Sequence, residues 1–372
     1  MRIAVNTRFL LQNKLEGIGV FTNEVCKRLV AAHPEHEFIF LFDRPYSQEF
    51  VYAKNVEPVV VSPQARHAIL FYLWFEWAIP FALKKHKADL FFSPDGYLSL
   101  KTKLPQVQVI HDLAFEHYPQ NVGKMASWHY RHFFPKYARK AKKILTVSAY
   151  SKADVIKQYG VSDRKIDVVY NGAKDVFKPI GPEEKQAIMQ KYSQGAPYFL
   201  YVGALHQRKN IGNLLRAFED FKDQGHPHKL LIVGRKAWGT AEMESIFNVM
   251  QHQNDVVFTG RVDDNELAKI VAGAYALTYV SYFEGFGIPI LEAMQCGVPS
   301  ITSNLTSMPE VAGKAGLLVD PFNVNDIATT MTQITNQETY LNLQSECQNQ
   351  AQKFSWEKTA DKVWQGIEKA MP

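Results

Sequence analysis

The sequence predicts two doubly wound α/β domains, and three observations lead to that fold class. The chain has 372 residues, which exceeds the roughly 250–300 residues at which a single hydrophobic core stops growing. Short β-rich runs alternate with longer amphipathic segments, as they do in parallel βαβ units. This alternation restarts after a polar, turn-prone stretch between Pro179 and Pro197. A composition of 46% hydrophobic and 21% charged residues is typical of a globular protein.

The first domain is predicted over residues 1–180. Its strands are expected at 3–9, 37–42, 56–61, 89–93, 106–111, 143–148 and 166–170. Amphipathic periodicity between them predicts helices near 20–32, 67–86, 124–141 and 149–159. In such a domain, ligands bind beyond the carboxyl ends of the strands.

The second domain is predicted over 181–352, joined to the first through a linker near 180–196. Its strands are expected at 198–203, 229–234, 255–259, 275–281, 299–302 and 316–319. Its helices are expected near 210–223, 242–252, 264–272, 289–296, 307–312 and 324–350. The final stretch, 353–372, is predicted to form a helix that can return to the first domain.

Cysteine usage and the N-terminal sequence bear on the compartment. Cys26, Cys296 and Cys347 are widely scattered and show no spacing typical of disulfide frameworks or zinc ligands. The first residues are typical of a strand and lack the apolar core of a signal peptide. We therefore expect a cytoplasmic protein that is soluble or peripheral on the inner face of the membrane.

Charge is distributed unevenly along the chain. Residues 1–180 hold 26 Lys and Arg against 16 Asp and Glu, a net charge of +10, whereas the remainder carries −5. This surplus indicates either a basic surface that only aids solubility or attraction to an anionic membrane or acceptor. No aromatic-interleaved basic motif indicates nucleic acid. The aromatic run Phe71–Trp77 is interpreted as a buried helix face, with a membrane-facing or lipid-acceptor helix as the alternative.

The strongest motif runs from Ser281 to Pro299, where a predicted strand passes through a glycine-rich loop into a helix. Pro289 is expected at the first helical position. Glu292 would then lie in the first turn and Glu284 in the preceding loop. The N-terminus of a helix favours an anion. The amides expected to face that anion belong to Phe286, Gly287 and Ile288.

Two glutamates around Gly-Phe-Gly, followed by Glu-Ala-Met and Gly-Val-Pro, resemble the donor-site signature of the family 4 retaining glycosyltransferases. The resemblance implies the GT-B architecture, in which two Rossmann-like domains face each other across a cleft. It also implies that Glu292 holds the nucleotide ribose and that Glu284 and the loop contact the transferred sugar. A surface residue that complements the helix dipole is the structural alternative for Glu292.

A second motif follows the predicted strand 198–203. Gly203 ends this strand, and Arg208 and Lys209 precede a helix for which Asn210 is a plausible cap. Two cations beside a helix N-terminus suit a diphosphate, although such a pair often lies in a solvated loop without a ligand. The resemblance supports the diphosphate role, but this chain has Ala204 where many members of the family have Arg.

Further matches to the family are weaker. Val262 lies where these enzymes hold the nucleotide base, and Gly17 and Gly19 resemble a loop near the diphosphate and acceptor. The latter pair does not form a dinucleotide fingerprint, because Thr22 occupies the third glycine position. His111 follows the apolar run Val107–Ile110 and matches a histidine near the transferred sugar, with a structural role as the alternative.

The resemblance thus implies hexose transfer, mannose being one candidate, from a GDP- or UDP-sugar to a glycan or glycolipid in bacterial surface polysaccharide synthesis. The residues expected to act in catalysis are His111, Glu284, Arg208 and Lys209. No cofactor is expected besides the nucleotide-sugar donor, and the absence of an Asp-x-Asp motif predicts no metal. The alternatives are a sugar-nucleotide epimerase of similar architecture and a non-catalytic sugar-nucleotide-binding subunit.

Overall fold

The computed structural model describes residues 1–65, 67–235 and 241–371. The chain divides into two compact units, Met1–Asn171 with Ser355–Pro372, and Gly172–Phe354. The boundaries expected from the sequence, at 180 and 352, both lie within the second unit. Among the described residues, no helix is long and apolar enough to span a membrane.

The first unit contains a parallel sheet of seven strands in the order β3-β2-β1-β4-β5-β6-β7. Most residues of the central strands are buried on both faces, which explains their nearly continuous apolar sequences. The strands are β1 (Arg2–Asn6), β2 (Glu37–Phe42), β3 (Val56–Val60), β4 (Leu90–Ser93), β5 (Gln106–Ile110), β6 (Lys143–Thr146) and β7 (Ile166–Val168).

Helices lie between most of these parallel strands, as in βαβ units. They are α1 (Ile18–Ala32), α2 (Ala68–Leu73), α3 (Ile79–Lys85), α4 (Ala114–His117), α5 (Lys124–Lys140) and α6 (Ala149–Tyr159). A π-helical turn, Trp74–Ala78, joins α2 to α3. One apolar cluster on this sheet takes in residues of α2, α3 and α5.

The second unit contains a parallel sheet of six strands in the order β10-β9-β8-β11-β12-β13. These are β8 (Tyr198–Val202), β9 (Lys229–Val233), β10 (Val256–Gly260), β11 (Ala276–Tyr279), β12 (Ser300–Ser303) and β13 (Gly316–Val319). The helices are α7 (Pro182–Ser193), α8 (Ile211–Asp223), α9 (Ala241–Val249), α10 (Asp264–Gly273), α11 (Ile288–Gln295), α12 (Met308–Ala312), α13 (Val324–Gln333) and α14 (Gln337–Ala351). The last helix, α15 (Trp356–Glu368), belongs to the first unit and packs against α1.

Both strand orders are Rossmann-like, with the direction of winding reversing beside the first strand of each unit. In the second unit this switch point lies between β8 and β11, which pair through Phe199 and Ala276. The loops after these two strands carry the two motifs found in the sequence. Their carboxyl ends therefore bring together residues about 75 positions apart in the chain.

The predicted linker at 180–196 is wrong in part, because most of it forms helix α7. Pro182 stands at the helix start, where its missing N–H costs nothing, and Glu183 and Glu184 complement the dipole. The helix ends at Gln194 in the left-handed conformation. The single helix expected over 324–350 is also wrong, since α13 ends at Gln333 and Asn336 caps α14 through the amide of Thr339.

The interpretation of the aromatic run Phe71–Trp77 as a buried helix face holds for only part of the run. Trp74 and Phe75 lie in the core, at 0% and 1% exposure. Tyr72, Leu73 and Trp77 are exposed, at 42%, 38% and 60%. The helix therefore has two apolar faces, of which the structure covers one.

Candidate active site

The loop after β8 begins the candidate site. Gly203 directly follows the strand, and its amide donates to the carbonyl of Val233. The 3₁₀ turn Gln207–Lys209 then presents Arg208 and Lys209 at the carboxyl edge of the sheet. The two cations thus lie at the switch point, as their position in the sequence suggests.

Asn210 occupies the position before α8, but its side chain does not cap that helix. The residue is left-handed, with φ of 58°. Its Nδ2 atom donates to the carbonyls of Val280 and Pro321 at 3.0 and 2.7 Å. The expected cap is therefore wrong, because the buried amide instead ties together the loops that follow β8, β11 and β13.

Glu284 lies between the two cations. Lys209 Nζ is 2.6 Å from Glu284 Oε1, and Arg208 Nη1 is 3.2 Å from Glu284 Oε2. Arg208 also donates to the carbonyl of Phe283. Although burial opposes ionisation, the charges of Arg208 and Lys209 lower the pKa of Glu284 to about 2. The glutamate is therefore ionised at neutral pH and contacts both cations.

Tyr279 is a site residue that the sequence analysis missed. It ends β11, is almost fully buried, and its hydroxyl accepts a hydrogen bond from Lys209 Nζ at 2.7 Å. Its ring also lies 5.1 Å from the same ammonium group. The sequence could have indicated this residue, because Tyr279 lies at the carboxyl end of a predicted strand and five residues before Glu284.

The glycine-rich loop leads from Glu284 into α11. Gly287 precedes this helix with φ of 98°, a left-handed conformation that glycine adopts without strain. Ser307 Oγ lies 3.0 Å from the carbonyls of both Glu284 and Phe286. These contacts anchor the carbonyl side of the loop, so that its conformation is set before any ligand binds.

Glu292 was expected in the first turn of its helix, but it lies beyond that turn. The left-handed Gly287 starts α11 at Ile288, one residue before Pro289, and no acidic residue falls in the first turn. Glu292 is partly buried, and this burial raises its pKa to about 7. Lys174 opposes the shift, but that lysine is itself paired with Asp264 at 2.6 Å.

Val262 follows β10 in a partly exposed loop before α10 of the second unit. Gly17 and Gly19, in the first unit, lie at the N-cap and in the first turn of α1. A side chain at Gly19 would approach the carbonyl of Phe9 to 2.8 Å, which explains the residue type. The roles of these three residues toward a donor stay predictions.

His111 follows β5 in the first unit and is partly buried. Its Nε2 atom lies 2.8 Å from the carbonyl of Pro94, and the ring of Phe21 packs edge-on at 5.0 Å. Burial lowers the pKa of His111 below 6.5. Because a carbonyl only accepts hydrogen bonds, the neutral ring carries its proton on Nε2 and its lone pair on Nδ1.

Another buried network occupies the switch point of the first unit. Arg8 follows β1 and forms an ion pair with Asp95, which follows β4. The guanidinium carbon lies 4.6 and 4.7 Å from the ring centroids of Phe71 and Tyr97. Asp95 also accepts from the hydroxyl of Ser93 at 2.9 Å. No motif in the sequence pointed to these residues.

Two family profiles together match most of the chain. The profile of the Glycosyltransferase Family 4 matches residues 15–175, and that of the Glycosyl transferases group 1 matches residues 184–354. The chain belongs to the family 4 glycosyltransferases. Its two Rossmann-like units are accordingly those of the GT-B fold, which confirms the fold class expected from the sequence.

Curated relatives of this glycosyltransferase extend over most of its length. It is 28% identical over 360 residues to an O-antigen chain mannosyltransferase B of Escherichia coli, with 92% of this chain and 93% of the relative covered. It is also 28% identical to the O-antigen chain mannosyltransferase RfbU of Salmonella typhimurium, with 74% of each chain covered.

A solved structure supports the fold of this glycosyltransferase at lower identity. The crystal structure of Anabaena HepE in complex with UDP-glucose superposes with a TM-score of 0.77, at 18% identity and 99% coverage of both chains. Within the described parts of the chain, no group of three or more His, Cys, Asp or Glu side chains is arranged to hold a metal ion.

Proposed function

We propose that this glycosyltransferase moves a hexose, with retention at the anomeric carbon, from a nucleoside diphosphate sugar to a hydroxyl of a glycan or glycolipid. The proposal rests on one observation. Arg208, Lys209 and Glu284 form a preorganised cluster at the switch point of the second unit, where ligands of such folds bind.

The charges of this cluster fit a diphosphate. Two cations face one carboxylate, so the three side chains together keep a positive charge beside the start of α11. The side chains of Arg208 and Lys209 are 22% and 13% exposed, which leaves them accessible from the edge of the sheet. Each carboxylate oxygen has a second lone pair, so Glu284 has the acceptor capacity for a sugar hydroxyl as well.

The reaction exchanges one bond at the anomeric carbon for another. The bond from this carbon to the diphosphate oxygen breaks, and a bond to the acceptor oxygen forms on the same face. The acceptor proton passes to the departing phosphate, which acts as the base. Negative charge grows on the diphosphate in the transition state, and Arg208 and Lys209 stabilise it electrostatically. In this proposal the two side chains supply the charge, and no metal ion takes part.

The family relatives suggest the sugar and the pathway class. Both curated relatives are named as O-antigen chain mannosyltransferases, which favours transfer over epimerisation and makes mannose the first sugar to test. The Anabaena structure holds UDP-glucose, which supports a nucleotide-sugar donor. We propose that the acceptor belongs to bacterial surface polysaccharide and that the enzyme works in the cytoplasm, peripherally at the membrane.

Two measurements test the proposal. Thermal shifts with UDP, GDP and ADP and their sugars identify the donor, because a ligand of the folded state raises the melting temperature. Donor consumption is then followed with and without glycan acceptors, and the anomeric configuration of the product is read by NMR. Turnover of a donor to its epimer without any acceptor would refute the transferase assignment, and an inverted product would refute retention.

A further inference from the structure

The first unit carries an exposed apolar stripe along α2, the π-helical turn and α3. Its side chains recur at spacings typical of one helix face, opposite the buried Trp74 and Phe75. Ile69, Trp77 and Phe81 are 69%, 60% and 69% exposed. Large apolar side chains gathered on one surface mark an interaction site in soluble proteins.

The stripe continues onto α5 through aromatic contacts. The rings of Tyr72 and Phe133 lie 6.3 Å apart, and Phe133 lies 6.3 Å from Trp128. Trp128 and Met125 are 57% and 68% exposed. We call the exposed side chains of these two segments the aromatic face; it comprises Ile69, Tyr72, Leu73, Trp77, Phe81, Met125 and Trp128.

Cations surround the aromatic face. Lys101 Nζ lies 3.4 Å from the ring centroid of Trp77 and 6.0 Å from that of Tyr72. Lys84 and Lys85 end α3, three and four residues after Phe81. Helix α5 contains Lys124, Arg131, Lys136, Arg139 and Lys140 and no acidic residue.

Two acidic groups beside the aromatic face, Glu76 and Glu116, are buried or already paired. Glu76, the one acid between residues 68 and 85, points into the protein and accepts the amides of Leu100 and Lys101 at 3.0 to 3.1 Å. Glu116 is mostly buried and pairs with Arg131 at 3.0 Å. The surface that reaches solvent is therefore apolar in its centre and positive at its rim.

We propose that the aromatic face docks this enzyme on an anionic lipid bilayer. Tryptophan, tyrosine and leucine on one helix face, with lysines beside them, are the composition of interfacial helices. Anionic headgroups attract the rim lysines, while the aromatic side chains enter the boundary between headgroups and acyl chains. This inference rests on the proposed peripheral association and assigns it to particular residues.

A second copy of the chain fits this surface less well than a bilayer does. A two-fold interface places the same patch against itself. The cations of α5 would then face cations, without acidic partners on that helix. An open depression of about 600 Å³ on α5, lined in part by Lys124, Trp128 and Arg131, instead suits the phosphate of a lipid headgroup.

Co-sedimentation with vesicles tests the proposal. The full chain is mixed with vesicles of phosphatidylglycerol and phosphatidylcholine, and in parallel with phosphatidylcholine alone. We expect binding to the anionic vesicles at low salt and its release at high salt, since salt screens the charges. Trp77→Ser combined with Phe81→Ser should weaken binding by more than about tenfold, because burial of one large apolar side chain is worth about that factor.

Matched variants separate docking from folding and from catalysis. Leu341→Ser removes a side chain of 51% exposure from α14 of the second unit and should leave vesicle binding unchanged. Lys84→Glu with Lys85→Glu should weaken binding to anionic vesicles several-fold. The binding of this variant should depend on salt no more steeply than that of the parent. All variants should keep the melting temperature and the nucleotide affinity of the parent, so the docking test is independent of the proposed transfer reaction.

Two results would overturn the proposal. One is a parent protein that does not sediment with anionic vesicles at low salt. The other is binding that the double variant of the aromatic face leaves intact. Analytical ultracentrifugation on the same samples identifies self-association, and a dimer that the double variant disrupts, without vesicle binding, would assign the face to a second copy instead.

Discussion

Lys209 and Glu284 form the central contact of the candidate donor site, with Nζ 2.6 Å from Oε1. The two residues follow neighbouring strands and are both largely buried, so their pairing is strong and little screened by water. The carboxylate holds the ammonium group in place before a donor arrives. Such preorganisation is what an electrostatic catalyst needs, because the charge need not move when the transition state forms.

Lys209→Ala should impair both donor binding and turnover. It deletes a charge-assisted interaction worth roughly 1.5–3 kcal/mol. We expect the turnover number to fall by about 10²-fold or more, because charge on the diphosphate grows in the transition state. Calorimetry with the nucleoside diphosphate and steady-state kinetics separate the two effects. Lys191→Ala, which removes an exposed lysine paired with Glu266, is the control. Parental binding and turnover in the Lys209 variant would place the diphosphate elsewhere.

Tyr279→Phe tests whether the tyrosine positions Lys209. Loss of one hydrogen bond of about 0.5–1.5 kcal/mol should lower turnover up to roughly tenfold, with Glu284 still holding the lysine. The matched control is Tyr201→Phe, since this neighbouring buried hydroxyl donates to the carbonyl of Ala204 at 3.2 Å. Kinetics and thermal unfolding are measured for both. A lower melting temperature with unchanged turnover would reduce Tyr279 to a structural residue.

Glu292 should link nucleotide binding to proton release. Burial raises its pKa to about 7, so the free protein is partly protonated there at neutral pH. If ribose hydroxyls donate to the carboxylate, binding favours the ionised form, and affinity should increase as pH rises through about 7. Calorimetry in buffers of different ionisation enthalpy measures the released proton. Glu292→Gln should abolish this pH dependence, and proton uptake by the parent would contradict the assignment.

The same shift has a consequence for stability in the absence of ligand. The folded state holds the Glu292 proton more tightly than the unfolded state, whose pKa is near 4.5. The contribution of Glu292 to the free energy of unfolding therefore falls as pH rises from about 4.5 to about 7. Glu292→Gln should remove this component, which denaturant titrations at several pH values measure against the parent protein.

His111→Ala should lower turnover by roughly tenfold or more while leaving nucleotide affinity nearly unchanged, because a contact with the sugar strengthens in the transition state. The pKa of His111 is lowered by burial, so its neutral form should persist to pH values below 6.5. His252→Ala, at an exposed pair with Asp223, is the control. A well-folded His111 variant with parental turnover would leave the histidine a structural role beside Pro94.

Several features of the fold follow from local sequence alone. Apolar runs of four to six residues, such as Tyr198–Val202, predict buried parallel strands because both faces of such a sheet are covered. The glycine-rich loop around Gly287 and the cations at 208–209 were likewise recognisable from residue types that neighbour one another in the chain. The mistakes arose where local signals were ambiguous: the prolines around α7 indicate a linker and a helix start equally well.

The sequence by itself determined the two Rossmann-like units, their family and the loops that carry the candidate site. Only the tertiary structure decided that Glu284 is the counterion of both cations, that Tyr279 supports Lys209, and that Asn210 joins three loops instead of capping a helix. It also decided which face of α2 and α3 is covered. The reason is physical: periodicity and turn chemistry act between near neighbours, whereas partners, burial and pKa values depend on which distant segments the sheet brings together.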